Sequence, residues 1–173
     1  MQSPLPNAFA LLGGHVVVTT SLLELADRPE EVAGVVAHEL AHGTRKHALW
    51  KTLSLAGPYI LCRVFMRGNS GLMGVLPGSS QLLVCQTFSQ EYELEADDVG
   101  WQLLLAAHID PRGLPDMLKK LKAAQARMKL VRLAPQAFSS HPATDKRIRR
   151  LEAKWRKLKD KSGFIEYEGA KRE

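Results

Sequence analysis

Cysteine is close to absent from this chain: Cys62 and Cys85 are its two. Their spacing fits neither a thiolate metal site nor a redox pair, so they either join in an oxidising compartment or sit as buried thiols, and burial is the expectation. Internal repeats and low-complexity tracts are missing too. With 45% hydrophobic and 24% charged residues, the composition excludes a disordered or collagen-like chain. A long hydrophobic run is also lacking. The longest charge-free stretch, Gly68 to Gln90, is broken by Gly, Ser, Gln and Pro77, and the apolar run Thr52 to Cys62 is too short to span a bilayer. Met1-Gln2-Ser3-Pro4 has no basic n-region followed by an apolar run, as a signal peptide would. The expectation is a single soluble domain over 1–173, long enough to bury a core and without an upstream targeting or membrane segment.

Charge is present but lopsided. Lys146 to Lys161 carries nine basic residues against Glu152 and Asp160, a local excess of +7 in a chain whose formal total is +6. This basic helix has no interleaved aromatic pattern, so it reads as a solvated amphipathic face and no nucleic-acid partner is expected. It and the apolar region 53–85 are the two candidates for contact with a membrane surface.

Periodicity supplies the elements. Ala8 to Leu11 and His15 to Thr19 flank Gly13-Gly14, which predicts a β-hairpin. Ser21 to Ala26 reads as a short helix. Asp27 is a candidate N-cap for a long helix, Pro29 to Lys51, with Pro29, Glu30 and Glu31 in its first turn. Further helices are expected from Ser89 to His108, from Leu114 to Met128, and from Pro142 through Leu158. The predicted class is α+β, mainly helical, with a small N-terminal sheet.

The chemistry concentrates in His38-Glu39-Leu40-Ala41-His42 on the first long helix. Residues four apart project side by side, so both imidazoles can reach one Zn²⁺ at about 2.0–2.1 Å. Glu39 lies on the adjoining sector, beside the metal and unbound to it, as a general base must. The plainer alternative, two surface histidines, sits poorly with Val35, Val36, Ala37, Leu40 and Ala41 around the motif. A catalytic zinc needs a third protein ligand. His47, nine residues after His38, would face away on a continuous helix and reads as a surface histidine or one in a second layer behind the ligands. Glu93 is the better candidate, with Glu91 and Glu95 as alternatives. Asp97, one turn beyond Glu93, is positioned to accept the second ring N–H of a ligating histidine.

With these motifs in order the chain resembles the M48 peptidase family, gluzincins related to the Ste24 and HtpX proteases. Asn7 to Gly14 is similar to the family's strand ahead of the active-site helix, and His38 to His42 to its zinc motif. Glu93-Leu94-Glu95-Ala96-Asp97 resembles its Glu-x-x-Ala-Asp pattern, and Ser140-His141-Pro142 with Arg147 its late His-Pro segment. The resemblance implies a zincin-like metallopeptidase domain with one Zn²⁺ on His38, His42 and Glu93, Glu39 as general base, and His141 and Arg147 facing the cleft. His141 would serve either as a donor to the oxyanion or as a fourth ligand that closes the metal. It also implies an extended or misfolded polypeptide as substrate, added as a strand along Asn7, Ala8 and Phe9, a role in protein quality control, and a place in the cell envelope or at a membrane. A zinc-binding chaperone-like or self-inhibited module is the alternative.

Overall fold

A computed structural model describes residues 2–11, 13–51, 53, 89–130 and 141–167. Two three-residue strands open it, β1 (Ala8–Ala10) and β2 (Val16–Val18), antiparallel with Ala8 opposite Val18 and Ala10 opposite Val16. The reversal needs two left-handed residues, and Gly13 (φ 97°) and Gly14 (φ 86°) supply them. At either end of the hairpin Leu11 N–H donates to His15 O at 2.7 Å and Thr19 N–H to Asn7 O at 3.0 Å. Antiparallel alternation therefore turns the backbone groups of Asn7, Phe9 and Leu11 toward β2, and those of Ala8 and Ala10 toward the outer edge.

Among the described residues the helices with full bounds are α1 (Thr20–Leu25), α2 (Pro29–Thr44), α3 (Gln90–Ala106), α4 (Gly113–Leu130) and α5 (Asp145–Lys157). Helix α2 is the hub, packed against β1, α3 and α4, while α5 closes over α3 and α4. Ala37, Trp101, Leu104, Leu114, Leu118 and Leu151 make the core between the helices, and Ala8, Leu22, Val35 and Met117 a second one under the hairpin. Glycines let backbones meet here. A Cβ on Gly100 would lie 3.2 Å from His38 N, and one on Gly113 would lie 2.0 Å from Glu30 O. Helix α3 thus rests directly on the turn of α2 that carries the histidines.

The mainly helical α+β class and the N-terminal hairpin agree with expectation, but three boundaries move. Helix α2 is capped at Arg28, because Asp27 turns its carboxylate to Lys120 at 2.5 Å while Glu31 accepts the Asp27 N–H at 2.8 Å. It ends at Thr44 and not Lys51. Thr44 Oγ1 donates back to Ala41 O at 3.1 Å and Lys46 takes a left-handed φ of 55°, after which residues 47–51 are helical again in a new direction. Helix α5 begins at Asp145, three residues after Pro142, because Thr144 Oγ1 accepts the Arg147 N–H at 3.3 Å and is the cap. Ser89 caps α3 in the same way through the Tyr92 N–H. The expectations for Cys62, Cys85 and the apolar region beyond Leu53 fall outside the described residues. Among those described, no helix is long and apolar enough to cross a membrane.

Candidate metal centre

Helical spacing on α2 sets His38 Nε2 and His42 Nε2 3.1 Å apart. From α3, Glu93 brings Oε1 to 3.3 Å from His42 Nε2 and Oε2 to 3.4 Å from His38 Nε2. His141, just ahead of α5, adds Nδ1 at 2.8 Å from Glu93 Oε1. One ligand atom from each of these four residues falls within a 4.8 Å circle. All but His141 are buried, His38 and His42 at 4% exposure and Glu93 at 2%.

The donor set fits a tetrahedral metal ion on two grounds. Ligands at zinc–nitrogen and zinc–oxygen distances in a tetrahedron stand roughly 3.3 Å from one another; the His38, His42 and Glu93 atoms are 3.1 to 3.4 Å apart, and His141 Nδ1 is 2.8 Å from Glu93 Oε1. In addition, two imidazoles and a carboxylate are donors that suit zinc, and Glu93 Oε2, buried 2.5 Å from Arg147 Nη1, accepts no well-aligned hydrogen bond.

Glu39 lies beside the cluster, 3% exposed. Its Oε2 accepts the Ala10 N–H at 3.1 Å, and its Oε1 stands 3.6 Å from His141 Nε2. The outward-facing edge of β1 is thereby pinned to the motif helix. A narrow cavity opens here, lined by Asn7, Ala8, Glu39, His141 and Arg147 together with Leu114, Leu118 and Leu121.

Behind His38, Asp97 Oδ1 sits 3.1 Å from Nδ1. Arg147 clasps that carboxylate through Nε at 2.8 Å and Nη2 at 2.7 Å, and gives Nη1 to Pro142 O at 3.0 Å. Arg147 is 3% exposed, and its three nitrogens are taken up by Asp97, Glu93 and Pro142. It also lines the narrow cavity beside Glu39 and His141.

Electrostatics separate the two histidines. Burial and the Arg147 charge pull the His38 pKa down, but hydrogen bonds from Asp97 and Glu93 outweigh them and raise it to about 9. His42 goes the other way: burial, with the neighbouring His38 and His141 charges, lowers it to about 3 against the pull of Glu93. Burial pushes the Glu93 carboxyl up, yet its hydrogen bonds to His141, His38 and His42 hold it well below the usual carboxylate range.

Of the three glutamates weighed as third ligand, Glu93 alone reaches the histidine pair. Glu91 is exposed, and Glu95 Oε2 goes instead to His47 Nε2 at 3.3 Å. Of the two places expected for His47, the structure has the inner one: it is 1% exposed in the layer behind the ligands, with Nδ1 3.0 Å from His42 Nδ1, although a continuous helix would have faced it away. Gly43 and Thr44 directly after the motif were the available signal of the break at Lys46. The basic helix α5 is also less solvated than its charge implied: Arg150 and Lys154 both bind Asp98, and Arg147 is internal.

Residues 1–155 match the model of Peptidase family M48. The chain belongs to the M48 peptidase family. This M48 chain is 36% identical over 154 residues to the beta-barrel assembly-enhancing protease of Yersinia pestis, covering 82% of itself and 31% of that protein. It is 34% identical over 157 residues to the mitochondrial metalloendopeptidase OMA1 of Schizosaccharomyces pombe, covering 88% of itself and 44% of the relative. With the metalloprotease LoiP of Escherichia coli (strain K12) the identity is 31% over 151 residues, covering 84% and 57%. The M48 chain therefore spans about a third to somewhat over half the length of these relatives.

Proposed function

We propose that residues 1–173 act as the catalytic domain of a zinc metalloendopeptidase that hydrolyses extended or misfolded polypeptides in protein quality control. The observation that carries the reading is the buried cluster of His38, His42 and Glu93 with a carboxylate, Glu39, beside it and outside it. Zinc, held by His38, His42 and Glu93, would supply Lewis-acid polarisation of the scissile carbonyl and a water of lowered pKa. Glu39 takes the proton of the attacking water on its carboxylate and returns it to the leaving amine. The Ala10 N–H fixes Glu39 Oε2, so the orientation of the base is set by the strand.

The same bond supports a register for the substrate. Of the strand residues Asn7, Ala8 and Phe9, only Ala8 turns its amide and carbonyl to the outer edge. A polypeptide added there as a further strand runs past Glu39. His141, with one nitrogen toward Glu93 and the other toward Glu39, is the residue nearest to act as donor for the oxyanion. Arg147 serves by holding Asp97 and Glu93.

The test uses an unfolded protein as substrate. Chain loaded with one zinc should cleave it, and chelation should stop cleavage. Glu39→Gln should lower turnover by about 10²–10⁴-fold with zinc content unchanged. Full activity without metal, or in zinc-loaded Glu39→Gln, overturns the proposal. A second reading, a self-inhibited module with little proteolysis of its own, rests on His141 lying inside the donor cluster. His141→Ala separates them at equal zinc content: a donor's loss lowers turnover by about 10²–10³-fold, whereas removal of a closing ligand raises it.

A further inference from the structure

Zinc-ligating histidines depend on what holds their other ring nitrogen. On His38 that partner is Asp97. On His42 it is another histidine, which the proposed mechanism does not use. His47 Nδ1 lies 3.0 Å from His42 Nδ1, and His47 Nε2 lies 3.3 Å from Glu95 Oε2. The His47 ring is fixed face to face on Tyr92, centroids 4.5 Å apart and planes 13° from parallel. It is 1% exposed, whereas the Glu95 side chain is 44% exposed. The arrangement therefore runs from the ligand cluster out to the protein surface.

We propose that His47 is a positioning residue for the metal: it fixes His42 as the tautomer that offers Nε2 to zinc, and Glu95 in turn fixes His47. The inference rests on zinc occupying the cluster described above. The proton count admits one arrangement. If His42 Nε2 is to give its lone pair to the metal, the ring proton of neutral His42 sits on Nδ1. At 3.0 Å that N–H donates to His47 Nδ1, which must then be bare. The proton of neutral His47 is on Nε2 and donates to the Glu95 carboxylate. Each nitrogen has one role, and the chain ends on an anion, as it does more directly at Asp97. A helix continuing straight through Lys46 would point position 47 away from His42, so the left-handed break at Lys46 is what makes the contact.

The experiment measures zinc affinity by competition with a chelator. His47→Phe keeps a ring of similar shape on Tyr92 but removes the acceptor, and it should weaken zinc binding by roughly 10–100-fold. His47→Asn gives up the stacking but restores an acceptor near the Nδ1 position, and it should stay within a few-fold of the parent. A residue needed only for packing predicts the reverse order, with Asn worse than Phe. That order, or parental affinity in His47→Phe, overturns the proposal. Should the variants fail to fold, nitrogen-15 NMR of the zinc-loaded parent chain decides, expecting the proton of His42 on Nδ1 and that of His47 on Nε2; a His47 proton on Nδ1 overturns it. A parent chain that takes up no zinc would instead sink the metallopeptidase reading, which keeps the two failures apart.

Discussion

His38 and His42 stand one turn apart on the same helix, yet behind their rings lie two different kinds of surroundings. Behind His38 the chain invests two fully desolvated charges: Asp97 at 0% and Arg147 at 3% exposure, drawn from α3 and α5. Behind His42 it uses a second imidazole, His47, and only beyond that a carboxylate, Glu95, which is half in water with Arg45 3.2 Å away. The difference follows from position. The His38 side faces the junction of three helices, where a lone carboxylate would be prohibitively desolvated and needs the guanidinium. The His42 side faces the end of α2, where the solvent can carry the charge and an imidazole can fill the buried step. One ligand is thereby tied to the fold's interior and the other to its rim.

The sharpest way to break this comparison is at Arg147. Arg147→Met takes the guanidinium away from buried Asp97 and Glu93, which costs about 3–5 kcal/mol of stability when a buried pair loses one partner. Chemical denaturation of the parent and variant, both stripped of metal, checks it. A loss under about 1 kcal/mol would mean that water reaches Asp97 and that the two sides are alike.

The two histidines should also titrate in opposite senses. In metal-stripped protein the His38 pKa is raised to about 9 from an ordinary 6.5. Its contribution to stability is thus fully present below pH 6.5 and is lost as pH rises toward 9. His42, lowered to about 3, contributes above pH 6.5 and loses that contribution as pH falls toward 3. Zinc must displace the His38 proton, so apparent zinc affinity should climb about tenfold per pH unit between roughly pH 7 and 9, the mark of one released proton. Isothermal titration in buffers of different ionisation enthalpy counts that proton. Release of none at pH 7.5 would show that Asp97 and Glu93 do not hold His38 charged.

How far these features were legible from residue order follows the same division. The histidine pair, Glu93 and Asp97 all stand at spacings of four within single helices, and local periodicity reports such geometry directly. The hairpin announced itself by Gly13-Gly14. What periodicity could not carry was any contact that depends on where a helix stops. Thr144 caps a helix expected to start at Pro142, and Arg28 takes the cap expected of Asp27, because side chains choose between backbone amides and partners distant in sequence, such as Lys120. His47 is the clearest instance. On an unbroken helix it would lie on the far side, and a single left-handed residue, Lys46, moves it to a place against His42. Arg147 was recognised as part of the site, but its partners, contributed by α3 and by the Pro142 carbonyl, are tertiary facts.

The smallest effect is expected at the outermost link of the rim side. Arg45 and Glu95 form an ion pair at 3.2 Å with side-chain exposures of 54% and 44%. Exposed pairs of this kind contribute about 0–1 kcal/mol, since water screens the charges and two long side chains give up freedom to meet. Glu95 has in addition a fixed task, to accept the His47 Nε2–H, and a hydrated carboxylate performs it without a cation nearby. Arg45→Ala should therefore leave stability within about 0.5 kcal/mol, and by the same reasoning zinc affinity within about twofold of the parent. This contrasts with Arg147, where the same loss of a guanidinium removes a cation from a dry pocket. Measuring both variants side by side by denaturation and chelator competition tests whether burial, rather than the presence of an arginine, sets the effect. A tenfold loss of zinc affinity in Arg45→Ala would mean that Glu95 is held by Arg45 as tightly as Asp97 is by Arg147, and the contrast between the interior and rim supports would fail.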